Sequence, residues 1–344
     1  MKKVFNLLVS FVLLAGFSAC NKDNPGNQQQ VPDNPSPTPP PGPTMDYKGL
    51  RFISSGESTV KLKQVGLPLA VRLEYSTDGT RWMSYTIDKK IDLADGGFVL
   101  FRAGDPSNRV FSRDSENHYQ FVISGSVTAQ GNIMSLFDRD FTAQVPEYAF
   151  FALFKGCTSL MSAPELPATT MAQGCYFRMF AECTGLKSAP ELPAEALAYN
   201  CYGRMFKGCS ALTYVPDLPA TKMEAYCYNS MFANCTSLKF APELPAKRLE
   251  SNCYQHMFEG CTSLTSAPEL PATELVSNCY EFMYKDCHNL RYVIGLFTTE
   301  PSEKTTKDWL SGVAASGTFI KSKKATWDVT GAHGIPEGWK IETW

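Results

Sequence analysis

Apolar and polar positions follow two different rhythms along this chain. Between residues 46 and 143, short alternating runs dominate, at 50–53, 60–65, 71–75, 82–87, 98–101, 119–123 and 127–136. Asp78-Gly79 separates two of them as a hairpin signal, while Asp95-Gly96-Gly97 and Ser124-Gly125 punctuate others. About seven strands in roughly 100 residues predict an N-terminal immunoglobulin-like β-sandwich. The region has no cysteine, so such a sandwich lacks the inter-sheet disulfide. Ser76-Thr77-Asp78-Gly79-Thr80-Arg81-Trp82 comes close to the Asp-box turn of sialidase propellers. It is one residue short and occurs once, whereas a propeller repeats its motif in every blade. A hairpin turn with a packed Trp82 is the preferred reading.

From residue 144 the rhythm lengthens. Cys157, Cys183, Cys209, Cys235, Cys261 and Cys287 stand 26 residues apart, as do Cys175, Cys201, Cys227, Cys253 and Cys279. Residues 157–286 are five full copies of one unit, the pattern of stacked elements that cannot bury an apolar face alone. In the second half of the first copy, Met171, Cys175 and Met179 fall at i, i+4, i+8, with Tyr176 and Phe180 beside them. This stripe predicts a helix, entered after Pro167. Gly156, Gly208, Gly260, Asn234 and Asp286 precede cysteines and read as left-handed helix ends, with Glu182 an exception. The first half, 160–166 and its copies, is short and proline-rich and predicts a strand. The expected fold is multidomain: a β-sandwich over 46–143, an α/β leucine-rich-repeat solenoid over 144–297, and a C-terminal capping segment over 298–344. The cap carries Trp309, Trp327, Trp339 and Trp344, with a helix expected over 303–313 and a hairpin after it.

Cys-Thr-Ser-Leu-x-Ser-Ala-Pro-Glu-Leu-Pro-Ala followed by Cys-Tyr-x-x-Met-Phe-x-Gly-Cys resembles the BspA-like leucine-rich-repeat surface proteins over residues 144–297. Gly317-Thr318-Phe319 and the stretch from Gly334 to Trp339 resemble the tail of the same proteins. The resemblance implies an exported or lipid-anchored solenoid, with adhesion among the roles of the family, and no catalytic site.

The chain's first 20 residues read as a targeting segment, with Lys2 and Lys3 ahead of an apolar run too short to cross a bilayer comfortably. Gly16-Phe17-Ser18-Ala19-Cys20 resembles a bacterial lipobox, with Phe17 where Leu is usual, and implies acylation at Cys20. The expected location is the outer membrane, held by a lipid and facing outward. An ordinary secretory signal with a chance cysteine is the alternative. Residues 21–45, with eight prolines, read as a solvated spacer that cannot bury a core.

Composition narrows the function. The formal charge is −2 with no basic cluster, which excludes a nucleic-acid binder. No His-Glu-x-x-His, phosphate-binding glycine loop or Gly-x-Ser-x-Gly elbow occurs, so neither catalysis nor a cofactor is expected. The eleven cysteines beyond Cys20 cannot all pair, and Cys175 and Cys183 would sit ~12 Å apart along a helix. Two ladders of buried thiols are expected, without disulfides or metal; bonding between neighbouring coils stays open. Cys253 and His256 have metal-like spacing, but other copies carry Arg178, Arg204, Ser230 and Phe282 in the histidine slot.

The candidate partner surface lies in the strand half. Glu165, Glu191, Asp217, Glu243 and Glu269 recur once per coil. Stacking sets these like charges ~5 Å apart, so they must be solvated or neutralised by a partner. Tyr214, Phe240 and Tyr292 replace the serine seen at Ser162, Ser188 and Ser266, and form a possible aromatic patch beside that row. The expected function is non-catalytic recognition of a protein or glycan at the cell surface by a monomer. The alternatives are a glycan-binding accessory lipoprotein of nutrient uptake and a structural spacer with no ligand.

Overall fold

Alternating burial builds the N-terminal strands, as in 58–65, where every second side chain from Ser58 to Leu62 is buried. The computed structural model describes residues 47–105, 111–114, 116–141 and 144–344, all within the unit Met45–Trp344. The targeting segment, Cys20 and the spacer lie outside the described residues. The strands are β1 (Arg51–Ser54), β2 (Ser58–Val65), β3 (Leu73–Ser76), β4 (Met83–Tyr85), β5 (Ile91–Leu93), β6 (Phe98–Ala103), β7 (His118–Ser124) and β8 (Val127–Gln130). They are followed by β9 (Leu160–Ser162), β10 (Ser266–Leu270), β11 (Tyr292–Gly295), the single helical turn α1 (Glu303–Thr306), β12 (Thr318–Lys321) and β13 (Lys340–Thr343).

Two sheets make the first layer pair, β4-β3-β6-β1-β8-β9 and β5-β2-β7. Phe52 and Phe101 of the first meet Phe121 of the second, with ring centroids 5.0 and 5.5 Å apart. The immunoglobulin-like expectation fails here, for a reason visible in the hydrogen bonds. Such a sandwich completes its sheets within itself. Here β8 pairs in parallel with β9 of the first coil, and the Phe121 amide of β7 donates to the Leu153 carbonyl. Both sheets run on into the repeat, and one apolar cluster is shared from Leu50 to Trp339. Asp78 does sit in a hairpin turn between the antiparallel β3 and β4, accepting the Thr80 and Arg81 amides at 2.8 Å each.

The repeat is a solenoid, but the expected helix is absent. In its place runs a ribbon of overlapping turns. Phe151, Leu153, Lys155 and Cys157 donate their amides three residues back, to Tyr148, Phe150, Ala152 and Phe154. The alternate amides, of Tyr148, Phe150, Ala152, Phe154 and Gly156, donate to the next coil at Gln173, Cys175, Phe177, Met179 and Ala181. A helix spends every amide on its own coil; this ribbon spends half of them on its neighbour. Every fourth residue is left-handed, the signature of a type II turn alternating with another type. The middle slot holds Arg178, Arg204, Ser230, His256 and Phe282, with φ between 52° and 57°. Non-glycine residues there cost roughly 1–2 kcal/mol each, offset by the bonds between coils. The residues expected to end a helix are left-handed too, and Glu182 is no exception at φ 65°.

The strand side is sparse. Its isolated bridges Ser188↔Tyr214 and Phe240↔Ser266 are parallel, as is Thr170↔Ala196 on the connecting segment. Pro-Glu-Leu-Pro places two prolines in four residues, and proline brings no amide to a ladder. Where the motif is lost at Val293-Ile294-Gly295, an unbroken parallel ladder β11-β12-β13 forms, and β10, which keeps the motif, joins it with a register shift between Ser266 and Glu269. Residues 298–344 therefore extend the stack. The expected helix over 303–313 shrinks to α1, after which Asp308 and Gly312 restore the left-handed slots at φ 47° and 74°. The expected hairpin is replaced by a parallel pairing of β12 and β13. Trp309 and Trp339 each donate an indole N–H at 2.8 Å, to the Gly334 and Ala314 carbonyls, and Trp327 stacks on Phe297 at 5.2 Å. Among the described residues, no helix is long and apolar enough to cross a membrane.

Candidate functional site: the two outward faces of the coils

Inside the ribbon, two aromatic columns run along the axis. Tyr176, Tyr202, Tyr228, Tyr254 and Tyr280 stack at 5.8–6.0 Å. Phe154, Phe180, Phe206, Phe232, Phe258 and Tyr284 stack at 5.3–5.7 Å. The eleven cysteines from Cys157 to Cys287 are free and buried beside them. Those of the first series from Cys183 onward donate S–H to the coil before, as Cys183 does to Phe154 at 2.9 Å and Cys287 to Phe258 at 3.0 Å, while Cys157 donates to Phe121 of β7. Burial pushes the Cys209 thiol up to about 12, so it holds its proton at neutral pH and packs as a small apolar group. Among the described residues no three His, Cys, Asp or Glu side chains gather to hold a metal. His256 stacks on Phe282 at 4.7 Å and bonds Glu259 at 2.8 Å, while Cys253 is wholly buried.

Outside the ribbon, side chains partner one another. Asn229 donates to Gln255 at 2.8 Å, and Gln255 to Glu281 at 2.5 Å. Arg178 and Arg204 both lie over Phe177, and Lys285 and Lys307 over Phe282. Lys155 pairs with Glu182.

The strand face differs. Glu165, Glu191, Asp217 and Glu243 are exposed and Glu269 is half-buried. Among the described residues, none of the five makes an ion pair. The Asp217 carboxylate accepts only the Glu243 amide, at 3.5 Å. Burial, then the neighbouring Glu243, raise the pKa of Glu269 above the ordinary carboxylate value, against a smaller pull from Lys247. Tyr214 is 58% and Phe240 69% exposed, one coil apart, while Tyr292 is half-buried against the following strands. Their pairings are parallel: Tyr214 bridges Ser188 of the coil before, while Phe240 bridges Ser266, Ser266 pairs with Tyr292, and Tyr292 with Thr318.

Sequence reasoning missed a third row. Lys187, Lys239 and Arg291, all exposed, immediately precede Ser188, Phe240 and Tyr292. They recur in every second coil, with Met161, Thr213 and Thr265 in the remaining coils, so the signal was present in the same alignment of copies. At the start of the face, where β1 and β8 meet β9, a cavity of about 450 Å³ is lined by Tyr47, Lys48, Arg51, Gln130, Ser162 and Glu165 among others. Arg51 donates to Gln130 there at 2.5 Å. The fold thus defines a repeat solenoid whose strand side exposes two aromatic rings beside a row of carboxylates that make no ion pair among the described residues. No protein-family model, curated protein or solved structure matches the chain.

Proposed function

We propose that this chain is a non-catalytic recognition protein of the cell surface, binding a macromolecular partner on the strand face of its solenoid. The observation that carries the reading is the exposure of Tyr214 and Phe240 beside a row of carboxylates without ion pairs. Large exposed aromatics on a rigid support are the residues that dominate interfaces when buried by a partner. Motif similarity to the BspA-like surface proteins supports the same reading, with each coil supplying a turn ribbon where a helix was expected. A lipid on Cys20 and the proline-rich spacer would hold this face away from the outer membrane. Replacing Cys20 with Ser should abolish incorporation of labelled fatty acid and release the protein from the membrane fraction.

The test of the face compares its two sides. Binding of the intact chain to panels of matrix proteins and glycans is measured for Tyr214→Ala with Phe240→Ala, and for Arg178→Ala with Arg204→Ala on the ribbon. The strand-face pair should weaken binding by at least about 2 kcal/mol, some thirtyfold, and the ribbon pair by far less. Equal losses, or a loss confined to the ribbon variant, would discard the strand face as the site.

A further inference from the structure

Resting on that reading of the strand face, we infer that its ligand is an uncharged glycan chain laid along the solenoid axis over Tyr214 and Phe240.

The face carries three parallel stripes. Cations at Lys187, Lys239 and Arg291 lie on one side of the aromatic row, and the carboxylates of the five coils on the other. A cationic peptide drawn to the carboxylates would lie within a few residues of the cations. An anionic chain drawn to the cations would meet the larger acidic row. Each charged ligand thus has a repulsive stripe beside its attractive one, and like-charge contact is what excludes partners at interfaces. A neutral polyol meets no repulsion. Its hydroxyls donate to carboxylates on one flank and accept from ammonium and guanidinium groups on the other, the stronger charge-assisted kind of hydrogen bond. Its C–H faces, stripped of water, cover the exposed rings between.

Geometry agrees. Coils stack about 4.8 Å apart, so a linear chain along the axis meets a carboxylate in each of five successive coils, a cation in every second coil, and all three groups together at Lys239, Phe240 and Glu243. Ser266, between Phe240 and Tyr292, leaves a low point in the aromatic row where a bulkier ring can sit. The rows are held by a parallel register rather than by loops, which lowers the ordering cost of binding.

The experiment is native affinity electrophoresis of the intact chain in gels containing xylan, mixed-linkage β-glucan, galactomannan or mannan. Polygalacturonate and a labelled oligolysine peptide serve as charged comparators. The expected result is retardation by at least one neutral polysaccharide, little changed up to about 0.5 M NaCl, where exposed charge attraction is screened. Tyr214→Ala and Phe240→Ala should each reduce it at least about tenfold, and Phe240→Tyr should retain it. Both side chains are more than half exposed, and unchanged melting temperatures would verify folding. Retardation by no neutral polysaccharide, or retardation indifferent to both alanine variants, overturns the inference. Salt-sensitive binding of oligolysine that requires Asp217 and Glu243 also overturns it, yet leaves the strand face as the recognition surface. Binding of any probe that no strand-face substitution alters removes both.

Discussion

The ribbon and the strand side of each coil carry the same repeat in opposite ways. On the ribbon, inward slots are filled by a fixed set of Cys, Tyr, Met and Phe, and the outward groups satisfy one another from coil to coil. On the strand side, Leu and Ala are buried while the outward rows are charged or aromatic and lack ion pairs of their own. Stability is therefore concentrated in one half of the coil and available surface in the other. In a solenoid each repeat contacts only its neighbours, so a lesion in the ribbon is felt by the coils on either side.

The sharpest way to break this contrast is to delete one phenyl ring from each side. Phe206 is fully buried and stacked between Phe180 and Phe232, with planes within 3°. Phe206→Ala should cost about 3–5 kcal/mol in urea unfolding, through lost transfer energy and the cavity left behind. Phe240→Ala, at 69% exposure, should stay within about 0.5 kcal/mol. Similar costs for the two would mean that the strand face is part of the core.

A smaller effect separates the thiols from any crosslinking role. Cys209→Ala removes a fully buried sulfur together with its S–H bond to the Phe180 carbonyl and should cost about 1–3 kcal/mol. In native protein, the eleven thiols from Cys157 to Cys287 should resist alkylation at mildly alkaline pH, since burial holds their protons on. Under denaturant all eleven should react. Reaction of only one would restore bonding between coils.

Much of this architecture was legible in the cysteine spacing, and the ribbon was read as a helix for a physical reason. Positions such as Cys175, Met179 and Cys183 recur every four residues, close enough to 3.6 that three of them cannot tell a helix from a four-residue turn ribbon. The distinguishing signal was elsewhere. Gly174, Asn200, Asn252 and Asn278 precede the second cysteine series just as Gly156, Gly208 and Gly260 precede the first, marking left-handed backbone at both ends of the segment. A helix interior has no use for such residues. The acidic and aromatic rows were legible because they repeat. The cationic row repeats as well, but Met and Thr interrupt it. The fusion of the N-terminal sheets with the first coil had no signal at all, because strand pairing between distant segments leaves no local periodicity.

In the ribbon three buried tyrosine hydroxyls, of Tyr176, Tyr254 and Tyr284, have no hydrogen-bond partner among the described residues. The ribbon's phenylalanine column ends at Tyr284, one of the three. Tyr284→Phe restores the column and removes an unsatisfied group, and should raise stability by about 1 kcal/mol. The same change on the strand side, Tyr214→Phe, alters an exposed hydroxyl and should leave unfolding unmoved while changing only binding. A loss of stability at Tyr284→Phe would show that the hydroxyl has a partner after all.

The smallest effect distinguishes the sides by sign. Glu269 has a folded pKa above the ordinary carboxylate value, so between the two values the folded state holds more protons than the unfolded state. Its contribution to stability is fully present below the ordinary value and is lost as pH rises through the raised one. At neutral pH the ionised Glu269, crowded by Glu243 and partly desolvated, therefore opposes folding. Glu269→Gln should raise the melting temperature slightly at pH 7, less so in high salt, and the gain should vanish as pH falls below the carboxylate range. On the ribbon, Glu259 instead serves His256 at 2.8 Å and Lys285 at 4.0 Å. Glu259→Gln should lower the melting temperature, by no more than a surface pair's worth of about 0–1 kcal/mol. Thermal melts of both variants across a pH series read the two signs directly. A gain from Glu269→Gln that grew toward low pH would contradict the crowding of that carboxylate. A matching gain from Glu259→Gln would erase the distinction between a face that pairs its own charges and one that leaves its carboxylates without ion pairs among the described residues.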